Sequence, residues 1–297
     1  MALHSKRLLL TGADGFTGRY LLPALKEAGW EVFGLIQSTP KSDHDIVADL
    51  LDSAALARAI DKVRPDALIH LAAISFVGHS DPLDFYRTNM FGTMNLLSAI
   101  KGAGQSLQKI ILASSANVYG NPTSVHINEA VCPAPVNHYS MSKLAMEHMV
   151  RSHFDGLNVT ITRPFNYTGV GQGKNFLVPK IVDHFRRGEK RIELGNQDVA
   201  RDFLDVRDVA AAYICLLNAE GNSGVVNICS GEPVSLHQII EMAEGITGQS
   251  IEVVVNPAFV RENEIKRLSG DNSRLMEQGW KRTYTFDETL RWMLTED

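Results

Sequence analysis

The 297-residue chain has little cysteine, no run of basic residues and no long apolar stretch. Its three cysteines, Cys132, Cys215 and Cys229, are scattered, which favours reduced thiols over a disulfide framework. A formal net charge of −5 without a basic run gives no support for nucleic-acid binding. No apolar stretch approaches the roughly 18 residues of a membrane span. The start has only three consecutive leucines, too few for a signal peptide. We therefore expect a soluble, cytoplasmic protein with no membrane or nucleic-acid partner.

The first half of the chain alternates short apolar runs with amphipathic helical patterns, which is typical of βαβ units and a parallel sheet. The predicted strands are 7–12, 31–36, 45–49, 67–73, 109–115 and 158–164, with helices such as 18–29 and 53–63 between them. Pro23 lies inside the first helix, where we expect a kink. After Pro164, glycine-containing loops follow, then a helix around 177–188, a strand at 225–229 and a last helix at 235–246.

The stretch TGADGFTG places Gly12, Gly15 and Gly18 in a G-x-x-G-x-x-G spacing between the first strand and the first helix. Glycines at these positions let the backbone turn tightly and approach a pyrophosphate, whose charge meets the helix N-terminus. A purely structural turn also needs glycine. The strand–turn–helix context favours dinucleotide binding.

The end of the second strand bears on which dinucleotide binds. It reads GLIQS, with no carboxylate to repel a 2′-phosphate and no adjacent arginine to hold one. Gln37 and Ser38, with Lys41, could hydrogen-bond that phosphate, so NADP(H) is favoured and NAD(H) stays open. Asp49 and Leu50, at the end of the third strand, are placed to contact the adenine; the alternative is an ordinary polar strand end.

The fold class that we expect is α/β: a Rossmann-type doubly wound parallel sheet with a smaller, interleaved C-terminal lobe. Residues 1–166, with contributions from about 202–235, should form the dinucleotide-binding domain. Residues 167–201 and 236–297 should form the lobe that binds the substrate. No flexible linker, repeat or low-complexity tract separates the two parts, so they should interleave.

The stretch HYSMSK places Tyr139 and Lys143 four residues apart, so on a helix both project from one face. A nearby ammonium favours the phenolate, and we expect it to lower the pKa of Tyr139 from about 10 toward working pH. Such a tyrosine could donate a proton to a carbonyl oxygen or accept one from an alcohol. Upstream, the stretch ASSANVYG ends an apolar strand in two hydroxyls, Ser114 and Ser115. The alternative is an incidental Tyr/Lys pair on a helix.

In this order the motifs resemble the extended, nucleotide-sugar branch of the short-chain dehydrogenase/reductase family. The similarity spans nearly the whole chain: TGADGFTG, PDALIHLAA, TNMFGTMNLL, SSANVYG, YSMSK, RPFN and RDFLDVRDV. It implies that Ser115 orients the substrate carbonyl, that Tyr139 is the general acid, and that Lys143 binds ribose and tunes the tyrosine. Asn89 would support that lysine through a proton relay, and Pro164 would lie along the nicotinamide. The expected cofactor-binding set is Gly12, Asp14, Gly15, Phe16, Gly18, Gln37, Ser38, Asp49, Leu50, Leu71, Ala72, Ala73, Asn89 and Pro164.

Within that branch the second half resembles enzymes that act on GDP-hexoses, because Arg201 lies in a G-N-x-D-x-x-R-D pattern. An arginine there offers a forked donor to a diphosphate. Arg261, in PAFVRENE, matches a second arginine that reaches the same diphosphate or the ribose. Either arginine could instead form a surface ion pair. The expected substrate-binding set is Ser75, Phe76, Asn117, Asn166, Val178, Lys180, Arg201 and Arg261.

The residues after Ser115 discriminate among reactions. Dehydratases of this group carry a glutamate where this chain has Asn117, and an amide cannot serve as an acid/base near neutral pH. Epimerase-reductases carry a cysteine where this chain has Ala116. The resemblance therefore implies NAD(P)H-dependent reduction of the C4 keto group of GDP-4-dehydro-6-deoxy-D-mannose, with GDP-D-rhamnose favoured over GDP-6-deoxy-D-talose. A 4-epimerase, a 4,6-dehydratase and a non-catalytic dinucleotide-binding protein remain alternatives.

The quaternary structure that the resemblance implies is a homodimer. This branch often dimerises through helices beside the Tyr-x-x-x-Lys element. There Leu144, Met146 and Met149 could form an interface or could equally belong to the core. No spacing in the sequence indicates a metal site.

Overall fold

The structure is a computed structural model that describes residues 6–122, 124, 126–221, 224–260 and 266–296. Its central sheet has seven strands: β1 (Arg7–Thr11), β2 (Glu31–Ile36), β3 (Asp45–Val47), β4 (Ala67–His70), β5 (Lys109–Ala113), β6 (Val159–Pro164) and β10 (Val225–Ile228). Their order is β10-β6-β5-β4-β1-β2-β3, and all neighbours are parallel. Because the chain reverses its direction of travel across the sheet between β1 and β4, a crevice forms there at the carboxyl ends of the strands.

Helices cover both faces of this sheet, so its strands are buried on both sides and rich in aliphatic residues. The helices of the chain are α1 (Phe16–Glu27), α2 (Ser53–Val63), α3 (Pro82–Phe85), α4 (Thr93–Gly102), α5 (His138–His153), α6 (Leu177–Arg186), α7 (Val206–Asn218), α8 (Leu236–Thr247), α9 (Ser273–Glu277) and α10 (Phe286–Thr295). A π-helical segment, Tyr86–Gly92, joins α3 to α4, and 3-10 turns form at Ala116–Tyr119 and Pro257–Phe259. Helices α1 and α7 pack on one face of the sheet, and α2, α4 and α5 pack on the other.

The remaining strands form two small sheets beside the crevice. In the first, β9 (Ala200–Asp205) pairs with β7 (Asn166–Thr168), β11 (Pro233–Ser235) and β13 (Arg267–Leu268). In the second, β8 (Arg191–Leu194) pairs with β12 (Glu252–Val255). Helices α6, α8 and α10 enclose a separate apolar core around Ile181, Ile239 and Leu290, each fully buried.

The predicted Rossmann-type α/β class is confirmed, and the β2 and α2 boundaries coincide with the predicted ones. The strand predicted at 158–164 begins one residue later and ends as predicted. The other predicted strands end earlier, and the residues after His70 and Ala113 leave the sheet to line the crevice. Helix α8 lies where a helix was predicted at 235–246, but it is not the last one, since α9 and α10 follow it. The sequence carries a signal for α10, because Thr285 and Glu288 form a reciprocal capping box ahead of Phe286 and Leu290.

Helix α1 continues through Pro23 as one element. Of the residues considered for a dimer interface, Met146 and Met149 lie in the core, 1% and 7% exposed, whereas Leu144 is half-buried. Within the described ranges, no helix is long and apolar enough to cross a membrane.

Candidate active site

The glycine turn after β1 is shaped to hold a phosphate. Gly12 has φ +68°, and a Cβ there would lie 3.0 Å from the Ala72 backbone nitrogen. A Cβ on Gly18 would overlap the Gly12 carbonyl oxygen and lie 2.7 Å from the Ala13 backbone. Gly15 is the N-cap of α1 and supplies no capping side chain, so the first turn keeps backbone N–H groups available to an anion. The turn therefore fits the pyrophosphate of a dinucleotide.

One cleft of about 1390 Å³ runs from this turn along the strand ends to the small sheets. Single-ligand pockets usually measure about 300–1,000 Å³, so the volume suits a dinucleotide together with a second nucleotide ligand. The predicted residues that line it are Gly12, Asp14, Gly15, Phe16, Gly18, Gln37, Leu50, Leu71, Ala72, Ala73, Ser75, Phe76, Ser115, Asn117, Tyr139, Lys143, Pro164, Asn166, Val178, Lys180 and Arg201.

Three predicted cofactor residues lie outside the cleft lining: Ser38, Asp49 and Asn89. The Ser38 hydroxyl donates to the Asp14 carboxylate at 2.7 Å, and the Asp49 carboxylate accepts from the Leu51 backbone at 2.8 Å. The Asn89 amide bonds both backbone groups of Ile74 and donates to the Ser142 hydroxyl at 3.0 Å. Asn89 thus ties the loop after β4 to helix α5.

The contact between Ser38 and Asp14 qualifies the expectation that no carboxylate lies near the end of β2. Asp14 comes from the glycine turn and lies beside that end, although β2 itself carries no acid. Arg261, the second arginine predicted for the substrate, lies outside the described residues.

Of the three predicted catalytic residues, Ser115 lies two residues after β5, at the start of a 3-10 turn, and Tyr139 and Lys143 lie on α5. The Tyr139 side chain is 7% exposed and Ser115 is 8% exposed. Burial raises the pKa of Tyr139 to about 12, although the Ser115 hydroxyl acts on the phenol in the lowering direction. The expected lowering of this pKa by Lys143 is therefore wrong in this structure, because desolvation of the phenolate is the largest effect. At neutral pH the phenol is a proton donor.

Lys143 is 4% exposed and donates from Nζ to the Ala113 carbonyl at 2.7 Å. Burial lowers its pKa to about 8, and the nearby Glu147 carboxylate opposes that shift. The lysine is thus positioned by the end of β5, next to the strand residues that lead to Ser115.

The far end of the cleft is formed by α6, β8 and β9. Lys180 donates to the Glu193 carbonyl at 2.6 Å and lies 4.4 Å from the centre of the Phe259 ring. Arg201 donates to the Ala200 carbonyl at 3.0 Å. The site therefore presents two cations and an aromatic face at the end opposite the glycine turn.

The sequence-based prediction missed several residues of the cleft. The Tyr167 hydroxyl bonds the Thr17 hydroxyl at 2.8 Å, and its ring stacks on Phe16 at 6.1 Å. Tyr167 directly follows the RPFN stretch, so its position beside that motif could have predicted a place in the site. Phe176 and Phe259 also line the substrate end. Each lies two residues before a predicted residue, Val178 or Arg261, but neither was itself predicted. No group of three or more potential metal ligands occurs in the described part of the chain.

A buried tyrosine and lysine that face a glycine turn across one cleft define the dinucleotide-dependent oxidoreductases of the extended short-chain dehydrogenase/reductase class. Within it, the chain belongs to the GDP-mannose 4,6 dehydratase family, whose sequence profile matches residues 9–293.

Two characterised relatives extend this comparison. The chain is 37% identical over 272 residues to a GDP-6-deoxy-D-talose 4-dehydrogenase of Aggregatibacter actinomycetemcomitans, covering 91% of this chain and 90% of that protein. It is 34% identical over 306 residues to a GDP-6-deoxy-D-mannose reductase of Pseudomonas aeruginosa, covering 98% and 97%.

Solved structures agree in fold. RMD from Pseudomonas aeruginosa, complexed with NADPH, matches with a TM-score of 0.85 and 34% identity over 98% of both chains. A Burkholderia cenocepacia protein provisionally described as an epimerase matches with a TM-score of 0.90 and 43% identity over 98% and 97%. The UDP-glucose 4-epimerase of Thermus thermophilus, in complex with NAD, has a TM-score of 0.86 and 26% identity over 97% of both chains.

Proposed function

We propose that this enzyme reduces the C4 keto group of GDP-4-dehydro-6-deoxy-D-mannose with NAD(P)H, and that GDP-D-rhamnose is the product. The observation that carries the proposal is the cleft that brings Ser115, Tyr139 and Lys143 together with the glycine turn. The Tyr139 phenol, whose pKa burial raises to about 12, is protonated at neutral pH and can supply the proton that a developing alkoxide requires. Asn117 lines the cleft where dehydration would need an ionisable acid/base, and no thiol follows Ser115.

The residues that would hold the dinucleotide are the glycine turn, Gln37 and Leu50, with Leu71 to Ala73 and Pro164 along the cleft. When bound, NAD(P)H supplies a hydride to the carbonyl carbon of the substrate. Both relatives with GDP-sugar names and the NADPH complex support this assignment. NADPH and NADH both remain candidates, because one solved relative holds NADPH and another holds NAD.

In the proposed reaction the chain's own residues orient the carbonyl and deliver one proton. Ser115 and Tyr139 donate hydrogen bonds to the carbonyl oxygen, which stabilises the negative charge that forms there. Tyr139 then transfers its proton to that oxygen. Lys143, held by the Ala113 carbonyl, keeps a positive charge beside the phenol as it ionises and binds the ribose.

The GDP moiety would bind at the far end of the cleft. We assign the diphosphate to Arg201 and Asn166, and the base to the surface of Val178, Lys180 and Phe259. Residues 1–166, joined by parts of 202–235, would then form the dinucleotide domain, and residues 167–201 with 236–297 the sugar-nucleotide lobe. A homodimer is proposed on the family resemblance alone.

The assignment is tested by incubating the enzyme with freshly generated GDP-4-dehydro-6-deoxy-D-mannose and NADPH or NADH, and identifying the C4 configuration of the product by NMR. We expect oxidation of the nicotinamide in step with formation of the rhamno product. Formation of the talo product would change the proposed C4 configuration and leave the proposed reduction unchanged. Turnover of a GDP-hexose without added nicotinamide would show a 4-epimerase, and a 4-keto product from GDP-mannose would show a dehydratase.

Replacing Arg201 with alanine should weaken GDP-sugar binding more than dinucleotide binding. A hydrogen bond to a charged group contributes about 1.5–3 kcal/mol, so the Kd for GDP should rise roughly 10- to 150-fold. Isothermal titration with GDP and with NADPH measures both affinities, and Arg191→Ala, at an exposed strand position, is the control. Equal losses for both ligands would show that Arg201 is structural.

A further inference from the structure

A buried carboxylate outside the proposed catalytic set lies directly behind the cleft. Glu147 is fully buried on α5, one turn after Lys143. Its Oε1 accepts a hydrogen bond from the Ser114 hydroxyl at 2.5 Å and one from Arg163 Nε at 2.9 Å. Its Oε2 accepts from Arg163 Nη2 at 2.6 Å. One carboxylate therefore joins the ends of β5 and β6 to α5.

Each of these elements carries a residue of the proposed site at the adjoining position. Ser114 precedes Ser115, Arg163 precedes Pro164, and Lys143 lies on the same helix as Glu147. Successive side chains of an extended chain point in opposite directions. Ser115 is extended, with φ −160° and ψ 146°, so a Ser114 hydroxyl held inside the protein directs Ser115 outward into the cleft.

We propose that Glu147 is a positioning residue for this reductase site: its carboxylate holds β5, β6 and α5 together so that Ser115, Lys143 and Pro164 open into one cleft. This role rests on the function proposed above. A buried ion pair is weak evidence for stability, because apolar residues of similar volume often serve as well. The hydrogen bonds of Glu147 join β5, β6 and α5 in one defined arrangement, whereas apolar side chains would pack there without fixing the direction of each contact.

Glu147 also acts on the charge of Lys143. Glu147 on α5, the Ala113 carbonyl on β5 and His70 on β4 act on Lys143, which lies one turn after Tyr139. His70 is neutral, because burial lowers its pKa to about 3. Glu147 in turn faces Arg163 on β6 and, at 3.9 Å, Arg151 on α5. Burial favours the neutral lysine, whereas Glu147 favours the ammonium, which is lost as pH rises past about 8. We therefore expect kcat/KM of the wild type to fall above that pH.

The test compares Glu147→Gln with the double variant Glu147→Met/Arg163→Met. Glu147→Gln leaves the Arg163 charge buried without its counter-ion, so Tm should fall on the order of 10 °C. We expect kcat for reduction to fall at least tenfold, and the alkaline limb of kcat/KM to move to lower pH, since the charge that opposes loss of the lysine proton is gone. The double variant should regain most of the lost Tm while kcat and the pH limb stay changed.

Asp202→Asn is the matched control, because Asp202 is also a fully buried carboxylate and accepts four hydrogen bonds from the Ser230–Gly231 turn and Gly270. It should lower Tm without moving the alkaline limb. Recovery of kcat and of the pH limb together with Tm in the double variant would show that the pair only stabilises the fold.

A second measurement separates this proposal from the proposed function. The ¹³Cε resonance of Lys143 reports its titration in the full chain without turnover. A lower titration midpoint in both Glu147 variants supports the effect of Glu147 on the charge of Lys143, even if the wild type fails to reduce GDP-4-dehydro-6-deoxy-D-mannose. An unchanged midpoint in both variants overturns it.

Discussion

Tyr139→Phe should lose reduction of the 4-keto substrate by about 10²–10⁴-fold in kcat. The substitution removes only the phenolic oxygen, and with it the proton that the developing alkoxide needs. The ring is 7% exposed and packs edge-on against Phe85. Phenylalanine retains that packing, so dinucleotide affinity and Tm should stay close to those of the wild type. Steady-state kinetics with NADPH and NADH, beside fluorescence titration of each nucleotide, measures the separation.

Tyr20→Phe is the matched control for this loss. It removes a tyrosine hydroxyl that donates to the Val170 carbonyl at 2.7 Å, away from the cleft lining. Its kcat should stay within a factor of about three of the wild type. Activity of Tyr139→Phe at even a tenth of the wild-type rate would contradict the assignment of the proton donor.

Gly18→Ala should abolish tight dinucleotide binding and destabilise the fold. The new Cβ would overlap the Gly12 carbonyl and lie 2.7 Å from Ala13 Cα and carbonyl carbon, all backbone atoms. Helix α1 must then move away from the turn, which removes its N–H groups from the phosphate position. Overpacking of this kind costs about 1–3 kcal/mol and sometimes more. We expect a Kd for NADPH or NADH at least a hundred times higher, measured by isothermal titration, and a lower midpoint in urea unfolding.

The control is Gly245→Ala, in the interior of α8. A Cβ at Gly245 meets nothing within 4 Å, and alanine is favoured over glycine in a helix by about 0.5–1 kcal/mol. This variant should be as stable as the wild type or slightly more so, with unchanged nucleotide affinity. Wild-type affinity in Gly18→Ala would mean that the turn does not hold the pyrophosphate.

Local sequence patterns were sufficient to predict the strands of the central sheet and the helix face that carries Tyr139 and Lys143. Strand β2 and helix α2 coincide with their predicted bounds because apolar alternation and helical spacing are properties of neighbouring residues. The same holds for Tyr139 and Lys143, whose common face follows from a spacing of four. The short strands β7, β11 and β13 were missed because three residues or fewer carry no readable period.

The predicted pKa of Tyr139 shows where a local pattern fails. The spacing places an ammonium near the phenol, but burial opposes the phenolate and holds the pKa at about 12. The burial of Tyr139 depends on how α3, β5 and the crevice pack around it, and no single stretch of sequence predicts that packing.

By itself the sequence determined the Rossmann class, the position of the glycine turn, and the Ser/Tyr/Lys set that now lines one cleft. Only the tertiary structure decided that Asp14 meets Ser38, that Ser114 turns inward to Glu147, and that Met146 belongs to the core. The reason is that helical and strand periods are local, whereas these contacts join residues of different elements. Their distance depends on the order of the strands and on how closely the helices pack against them.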